Sequence, residues 1–148
     1  MKKKLLGTLA VMTILLGGLS QVHAAETNYD IGFKFLISSY QSNSFTSSRK
    51  RSTTNPKCAW MVDFRNSTES VSGERCKTRF WLERPYVLYG TQVSDDIDIL
   101  EGSAPQFLKS TEEGTNCNVQ LGAENNNYNA STYEATGYWD EETAKIIK

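Results

Sequence analysis

Three cysteines, Cys58, Cys76 and Cys117, are the residues of this sequence that could supply a nucleophile. A catalytic cysteine needs a neighbouring base, most often a histidine, to form its thiolate. The only histidine, His23, lies in an N-terminal stretch with the layout of a signal peptide. Each cysteine also shares the parity of the apolar residues around it, which directs the thiol inward. We therefore predict that the protein has no catalytic residue and is not an enzyme.

The same three cysteines are the candidates for a disulfide, which is the default for paired thiols in an oxidising compartment. They allow three single-bridge pairings, and each pairing leaves one thiol over. In a hairpin of residues 58–65 and 76–83, Cys58 lies far from the turn and Cys76 lies near it. A direct bridge between these two is disfavoured, so Cys117 is the expected partner of one of them. The sequence leaves that choice open.

Metal ligands are sparse. Zinc needs histidine or closely spaced cysteines, and the chain offers neither beyond His23. Asp95, Asp96 and Asp98 could bind a hard cation such as Ca²⁺, but the glycine and the distal glutamate of a calcium loop are missing. Acidic residues that keep a strand edge soluble explain this run better. We predict no metal and no cofactor.

Two groups of residues are candidates for binding. Arg49, Lys50 and Arg51 form the densest basic cluster and lie in a long polar stretch, residues 38–56, that we expect to be an exposed loop. Such a cluster contacts anionic polymers or lipid headgroups, or is simply solvated. Tyr138 and Trp139 could stack on a sugar, or could be core and edge aromatics of a closing strand.

The first 24 residues read as a secretory signal peptide. Three lysines precede an apolar run, and small residues up to Ala24 offer a cleavage point. Cleavage there removes three of the 16 Lys and Arg residues and none of the 17 Asp and Glu residues, so the net charge becomes −4. We expect residues 25–148 to form one secreted, extracellular domain. An exported acidic chain is not expected to bind nucleic acid.

The apolar pattern of residues 25–148 has a period of two, which is typical of strands with one buried face. It is clear at residues 29–38, 58–65, 77–83 and 117–124, with further strands expected at 86–89, 93–100 and 131–139. Turn-forming residues separate these stretches. The sequence predicts an all-β fold, a small antiparallel β-sandwich of six or seven strands.

Three stretches of the chain resemble a known family: residues 40–46 with 49–55, residues 78–82, and the closing motif AENNNY…GYWDEET at 123–128 and 137–143. Together they are similar to a family of small exported proteins of Gram-positive bacteria, grouped as a domain of unknown function. The resemblance implies an extracellular bacterial protein and brings no ligand or catalytic residue. The cysteines depart from the family pattern. Size and export also resemble the lactococcin 972-type bacteriocins, a likeness of architecture, which does not fix function.

These observations predict a non-catalytic secreted bacterial protein that binds at the envelope or outside the cell. Its expected partner is a cell-wall polymer, a membrane surface or another protein, through Arg49, Lys50, Arg51, Tyr138 and Trp139. The alternative is a bacteriocin-like secreted toxin, and a third hypothesis is a secreted hydrolase that uses a pair of carboxylates, because the eleven acidic residues of 91–148 could supply one. Nothing in the sequence fixes the ligand or the oligomeric state.

Overall fold

The computed structural model describes residues 31–40, 42–69, 75–86, 90–126 and 130–148. The predicted signal peptide, residues 1–24, and most of the predicted strand at 86–89 lie outside the described residues. Within the described part, no helix is long and apolar enough to cross a membrane.

Ten β-strands and a single 3-10 turn at Glu112–Gly114 make up the regular structure of the described chain. The strands are β1 (Gly32–Ile37), β2 (Ser44–Phe45), β3 (Arg49–Arg51), β4 (Trp60–Ser67), β5 (Lys77–Arg84), β6 (Thr91–Gln92), β7 (Ile97–Leu100), β8 (Gln106–Leu108), β9 (Cys117–Asn125) and β10 (Tyr133–Asp140). Six of them have four to nine residues: four correspond to the stretches with clear alternation, and β7 and β10 correspond to the further strands expected at 93–100 and 131–139. The other four have only two or three residues, too few for an alternating pattern to be recognised.

The strands form two antiparallel sheets. One has the order β1-β10-β4-β8, and the other has the order β2-β9-β5-β6, with β3 also paired to β9 and β7 to β5. Phe80 of the second sheet packs between Phe33 and Phe64 of the first, with ring centroids 5.7 and 5.6 Å apart. Aromatic contacts between facing sheets are what a sandwich core requires. The predicted all-β antiparallel β-sandwich is confirmed.

The inward faces of the long strands follow the predicted alternation. Phe33, Phe35 and Ile37 are buried in β1, while Leu36 between them is 64% exposed. In β5 and β9 the residues predicted to face inward are also buried: Thr78, Phe80, Leu82, Cys117, Val119, Leu121 and Ala123. The period of two therefore places the core correctly, because a strand directs successive side chains to opposite faces.

β4 departs from the alternation because both of its faces are covered. Met61 and Asp63 of β4, and Ala59 just before it, fall on the solvent-facing parity of the alternation predicted for residues 58–65, yet they are at most 1% exposed. The cover near Ala59 is residues 141–148, which we call the C-terminal strap. Thr143 N donates to Ala59 O, and Ala59 N donates to Lys145 O, both at 2.8 Å.

Residues 38–56 are not the exposed loop that their polar composition predicts. Two short strands interrupt the stretch, β2 and β3, and both pair with β9. The pairing is favourable because it satisfies main-chain groups along the outer edge of β9. Arg51, at the end of β3, is fully buried.

The predicted disulfide is wrong for this structure, because all three cysteines are free and buried. Cys58 Sγ donates to Thr143 O at 2.9 Å, and Cys117 Sγ donates to Glu113 O at 3.5 Å. Cys76 Sγ lies 3.5 Å from Thr78 Oγ1, in another part of the core. The inward direction of the thiols is confirmed, but each thiol contacts its own oxygen partner instead of another sulfur.

Candidate functional site

The three basic residues of the predicted binding cluster lie on β3 in different environments. Lys50 is exposed, and its Nζ donates to the main-chain and side-chain oxygens of Asn116, both at 2.9 Å. Arg49 is half-buried and forms an ion pair with Glu141 at 2.9 Å. Only Lys50 is therefore exposed to a partner in the way that the sequence predicted for the whole cluster.

Arg51 is buried and holds two parts of the main chain together. Its guanidinium donates to the carbonyl oxygen of Glu141 in the C-terminal strap and, at 2.5 Å, to that of Cys58. Loss of solvation on burial lowers the pKa of Arg51 from its ordinary value, although the nearby carboxylates and thiols oppose this. Since its side chain does not reach the surface, Arg51 cannot be part of an exposed contact surface.

Tyr138 and Trp139 point to opposite faces of β10. Trp139 is 1% exposed and belongs to the core, so it is not available as a stacking platform either. The Arg49 guanidinium lies 5.4 Å from the centre of the Trp139 ring. The fold thus brings one predicted basic residue onto one predicted aromatic, but as internal packing. Tyr138 alone faces outward, on the other side of the sheet.

Two of the three aspartates considered for Ca²⁺, Asp96 and Asp98, are paired with an arginine. The Arg79 Nε lies 3.1 Å from Asp96 and 2.8 Å from Asp98. The hydrogen bond from Arg79 lowers the pKa of Asp98 and raises that of Arg79 itself. Among the described residues, no group of three or more His, Cys, Asp or Glu side chains could hold a metal ion.

The pairing of β10 with β4 is irregular next to Tyr138. Phe64 and Asn66 of β4 pair with the consecutive residues Gly137 and Thr136 of β10, so Arg65 is an extra residue on β4. Such a β-bulge twists the strand and changes the direction of a side chain. Gly137 permits the close approach, because a Cβ there would lie 2.0 Å from Asp63 O.

The bulge directs Arg65 over Tyr138. The guanidinium carbon lies 5.9 Å from the centre of the Tyr138 ring, within the range of a cation–π contact. Arg65 also binds the carboxylate of buried Asp63, with nitrogen–oxygen distances of 2.6 and 2.5 Å. Asp63 therefore holds one edge of the guanidinium in place, while 52% of the Arg65 side chain stays exposed.

Arg65 and Tyr138 line an open cleft of about 590 Å³. Its lining comes from three neighbouring strands and one turn: Gly32, Phe33, Arg65, Asn66, Gly102, Thr136, Gly137 and Tyr138. Gly102 adopts φ +68°, a conformation that glycine allows without strain, and its N–H donates to Phe64 O at 2.9 Å. The cleft offers a cation, an aromatic face, an amide and a hydroxyl, which are the groups that bind polar ligands.

Sequence reasoning included Tyr138 and missed Arg65. Arg65 falls on the outward parity of the alternation at residues 58–65, and an isolated arginine at such a position is ordinary. The glycine at position 137 was a usable signal, because a glycine inside a strand pattern suggests a bulge. Which partner residue the bulge would redirect depends on the strand pairing, which the sequence does not state.

The comparisons with known proteins give a family and no function. The chain matches no curated protein and no solved structure. Residues 20–143 match a family described as "Protein of unknown function (DUF2712)". The match covers most of the chain and confirms the resemblance to an uncharacterised family that the closing motif indicated, whereas export and the bacteriocin likeness stay predictions. The chain belongs to the DUF2712 family of proteins of unknown function.

Proposed function

We propose that this protein is a non-catalytic binding protein, secreted by a bacterium, whose partner is a cell-wall glycan. The contact surface is the Arg65–Tyr138 cleft, which keeps Tyr138 from the predicted residues and replaces Arg49, Lys50, Arg51 and Trp139. The observation that carries the proposal is the β-bulge, which aims an exposed arginine over an outward-facing tyrosine in an open cleft.

The chemistry of the cleft fits a sugar polymer. An aromatic face stacks on the apolar side of a sugar ring, while planar amide and guanidinium groups hydrogen-bond to its hydroxyls. Arg65 is held on Asp63 and Tyr138, so little side-chain freedom remains to be lost on binding. Asn66 and Thr136 lie opposite each other across β4 and β10, and supply an amide and a hydroxyl beside the stacked pair.

The test is retention of the purified protein on bacterial cell wall, with and without a conservative change in the cleft. The double variant Arg65→Lys, Tyr138→Leu keeps a cation near buried Asp63 and removes both the planar guanidinium and the ring. We expect it to bind at least fivefold more weakly, because each lost stacking contact contributes about 0.5–1 kcal/mol.

A matched control exists elsewhere in the chain. The Arg84 guanidinium lies 5.1 Å from the centre of the Tyr86 ring, so this is another arginine–tyrosine pair, and it lies outside the cleft. The double variant Arg84→Lys, Tyr86→Leu should be retained like the original protein. If the protein is not retained on cell wall, or if both double variants lose the same amount of binding, the proposal fails.

The same preparations separate binding from a bacteriocin-like toxin. Purified protein is added to growing cultures of related bacteria, and growth is followed. A binder of wall glycan leaves growth unchanged. Growth inhibition that persists in the Arg65→Lys, Tyr138→Leu variant would reject the glycan-binding function in favour of the bacteriocin-like toxin.

A further inference from the structure

A second cleft, of about 430 Å³, lies near the opposite end of β4. The residues that carry the argument are Lys57, Asp95, Lys109, Ser110 and Glu112. Lys57 and Arg65 are eight positions apart, and an extended chain rises about 3.3 Å per residue, so the two clefts are roughly 25 Å apart. A ligand in this second cleft is therefore independent of the Arg65–Tyr138 cleft.

The backbone around this cleft is fixed by hydrogen bonds between distant segments. Ser110 N donates to Pro56 O at 3.0 Å, and Thr111 N donates to Val93 O at 2.7 Å. The indole N–H of buried Trp60 donates to Lys109 O at 3.3 Å. The side chains of the cleft are thus presented by a well-connected framework, as a binding site requires.

The cleft displays charges of both signs. Lys57 and Lys109 supply two ammonium groups, and Asp95 and Glu112 supply two carboxylates; all four residues are exposed. The ion pairs found among the described residues involve none of these four. Two cations and two anions therefore line one concave surface without forming an ion pair with one another.

Ser110 adds an unmet hydrogen-bonding group. The residue is 6% exposed, and its hydroxyl oxygen has no hydrogen-bond partner among the described residues. Buried hydroxyl groups are almost always paired, so an unpaired one at a cleft needs an explanation. Ser110 is one of the residues that line the cleft, so a molecule bound there is a candidate for the missing partner.

We propose that this cleft binds a small zwitterionic group, in which a phosphate and a primary ammonium are joined by a short linker. The phosphate oxygens accept hydrogen bonds from Lys57, Lys109 and the Ser110 hydroxyl, since lysine binds phosphate as a point charge. The ligand's ammonium donates to Asp95 and Glu112. A simple anion would be repelled by the two carboxylates, and a simple cation by the two lysines, so one molecule with both charges fits best.

The test uses phosphoethanolamine as the probe, with inorganic phosphate and ethanolamine as its separate halves. Binding to the full chain is measured by calorimetry at low salt, because exposed charges are screened at high salt. We expect phosphoethanolamine to bind at least tenfold more tightly than either half. Equal binding of phosphate alone, or no binding of phosphoethanolamine, would overturn the proposal.

Variants locate the site. The double change Lys57→Ala, Lys109→Ala should weaken binding tenfold or more, and Ser110→Ala should weaken it severalfold. The charge-matched control is Lys34→Ala, Lys50→Ala, which removes two exposed lysines outside the cleft and should leave the affinity unchanged. If the control weakens binding as much as the cleft variant, the effect is one of net charge and the assignment fails.

Two further arms identify the source of the group and separate the two clefts. Retention on phosphatidylethanolamine vesicles but not on phosphatidylcholine vesicles indicates that the ligand is a lipid headgroup. Binding of glycerophosphoethanolamine without retention on vesicles indicates a soluble phosphodiester. Either result supports the site. The Arg65→Lys, Tyr138→Leu variant should bind phosphoethanolamine normally, whatever it does on cell wall. Its failure to do so would show that the probe binds at the wrong cleft.

Discussion

Replacing Arg51 by methionine tests whether the basic cluster on β3 is structural. The guanidinium of Arg51 donates to the carbonyl oxygens of Glu141 and Cys58 and so ties the C-terminal strap to the chain before β4. Methionine fills a similar volume but donates no hydrogen bond. The change therefore leaves two carbonyl oxygens without this donor while it keeps the packing.

The expected loss follows from those two contacts. A hydrogen bond from a charged donor contributes about 1.5–3 kcal/mol to stability. Removing the buried charge also removes its desolvation penalty, which offsets part of the loss of the two hydrogen bonds. We expect the free energy of unfolding to fall by about 2–4 kcal/mol, which lowers the melting temperature by roughly 10 °C in a domain of this size. Lys50→Met is the matched control, because Lys50 is exposed and its loss should cost under about 0.5 kcal/mol.

Urea unfolding followed by circular dichroism, with linear extrapolation to water, measures both variants against the original protein. The slope with urea should stay the same, since the surface exposed on unfolding hardly changes. If Arg51→Met unfolds within 0.5 kcal/mol of Lys50→Met, then Arg51 does not hold the strap and the structural assignment is wrong.

Two other changes test the bulge and the thiols. Gly137→Ala should destabilise the fold strongly, because the added Cβ would lie 2.0 Å from Asp63 O. Gly32→Ala is the control and should have a mild effect, because its Cβ would lie 3.6 Å from Gly137 O. The melting temperatures of the two variants test this difference. Native protein should react slowly with a thiol reagent, since burial raises the pKa of Cys58 and Cys76 and disfavours their thiolates. Unfolding in urea without reductant should release three reactive thiols per chain, and a count of one would restore the disulfide.

The sandwich was predictable because one-faced burial leaves a period of two in the sequence. Phe33, Phe35 and Ile37 carry that pattern in β1, and the structure buries all three. The pattern fails where a strand is covered on both sides, as at Ala59 and Met61, because such a strand has no solvent face to read. Covering by a segment from the far end of the chain has no local signature.

The candidate site was less predictable, because charge alone does not reveal whether a side chain is exposed. Arg49 and Arg51 were interpreted as a surface cluster because runs of basic residues usually are solvated. Their partners, Glu141 and the strap carbonyls, are 90 or more positions away. The acidic pair Glu141 and Glu142 in the closing motif was the available hint, since opposite charges are what a buried arginine requires.

Cys117 and Cys58 show the same limit for covalent links. Parity fixed the direction of each thiol, and burial confirmed it. A disulfide further requires Cα atoms closer than about 7 Å and suitably directed Cβ atoms, which are properties of the tertiary structure. The number of cysteines and the expected oxidising compartment favoured a disulfide, but in the folded chain the three cysteines are free.

The C-terminal strap makes completion of the fold depend on residues that are synthesised after every other strand of the described fold. Ile147 N donates to Lys57 O, and Cys58 and Ile146 pair through their main chains as an isolated antiparallel β-bridge. The strap therefore acts as an added strand along residues 57–59. A chain that stopped before residue 141 would expose the Cys58 thiol and leave Arg51 without its Glu141 acceptor. Loss of the whole strap, by premature termination or by proteolysis before residue 141, would thus turn a sealed thiol into an accessible one.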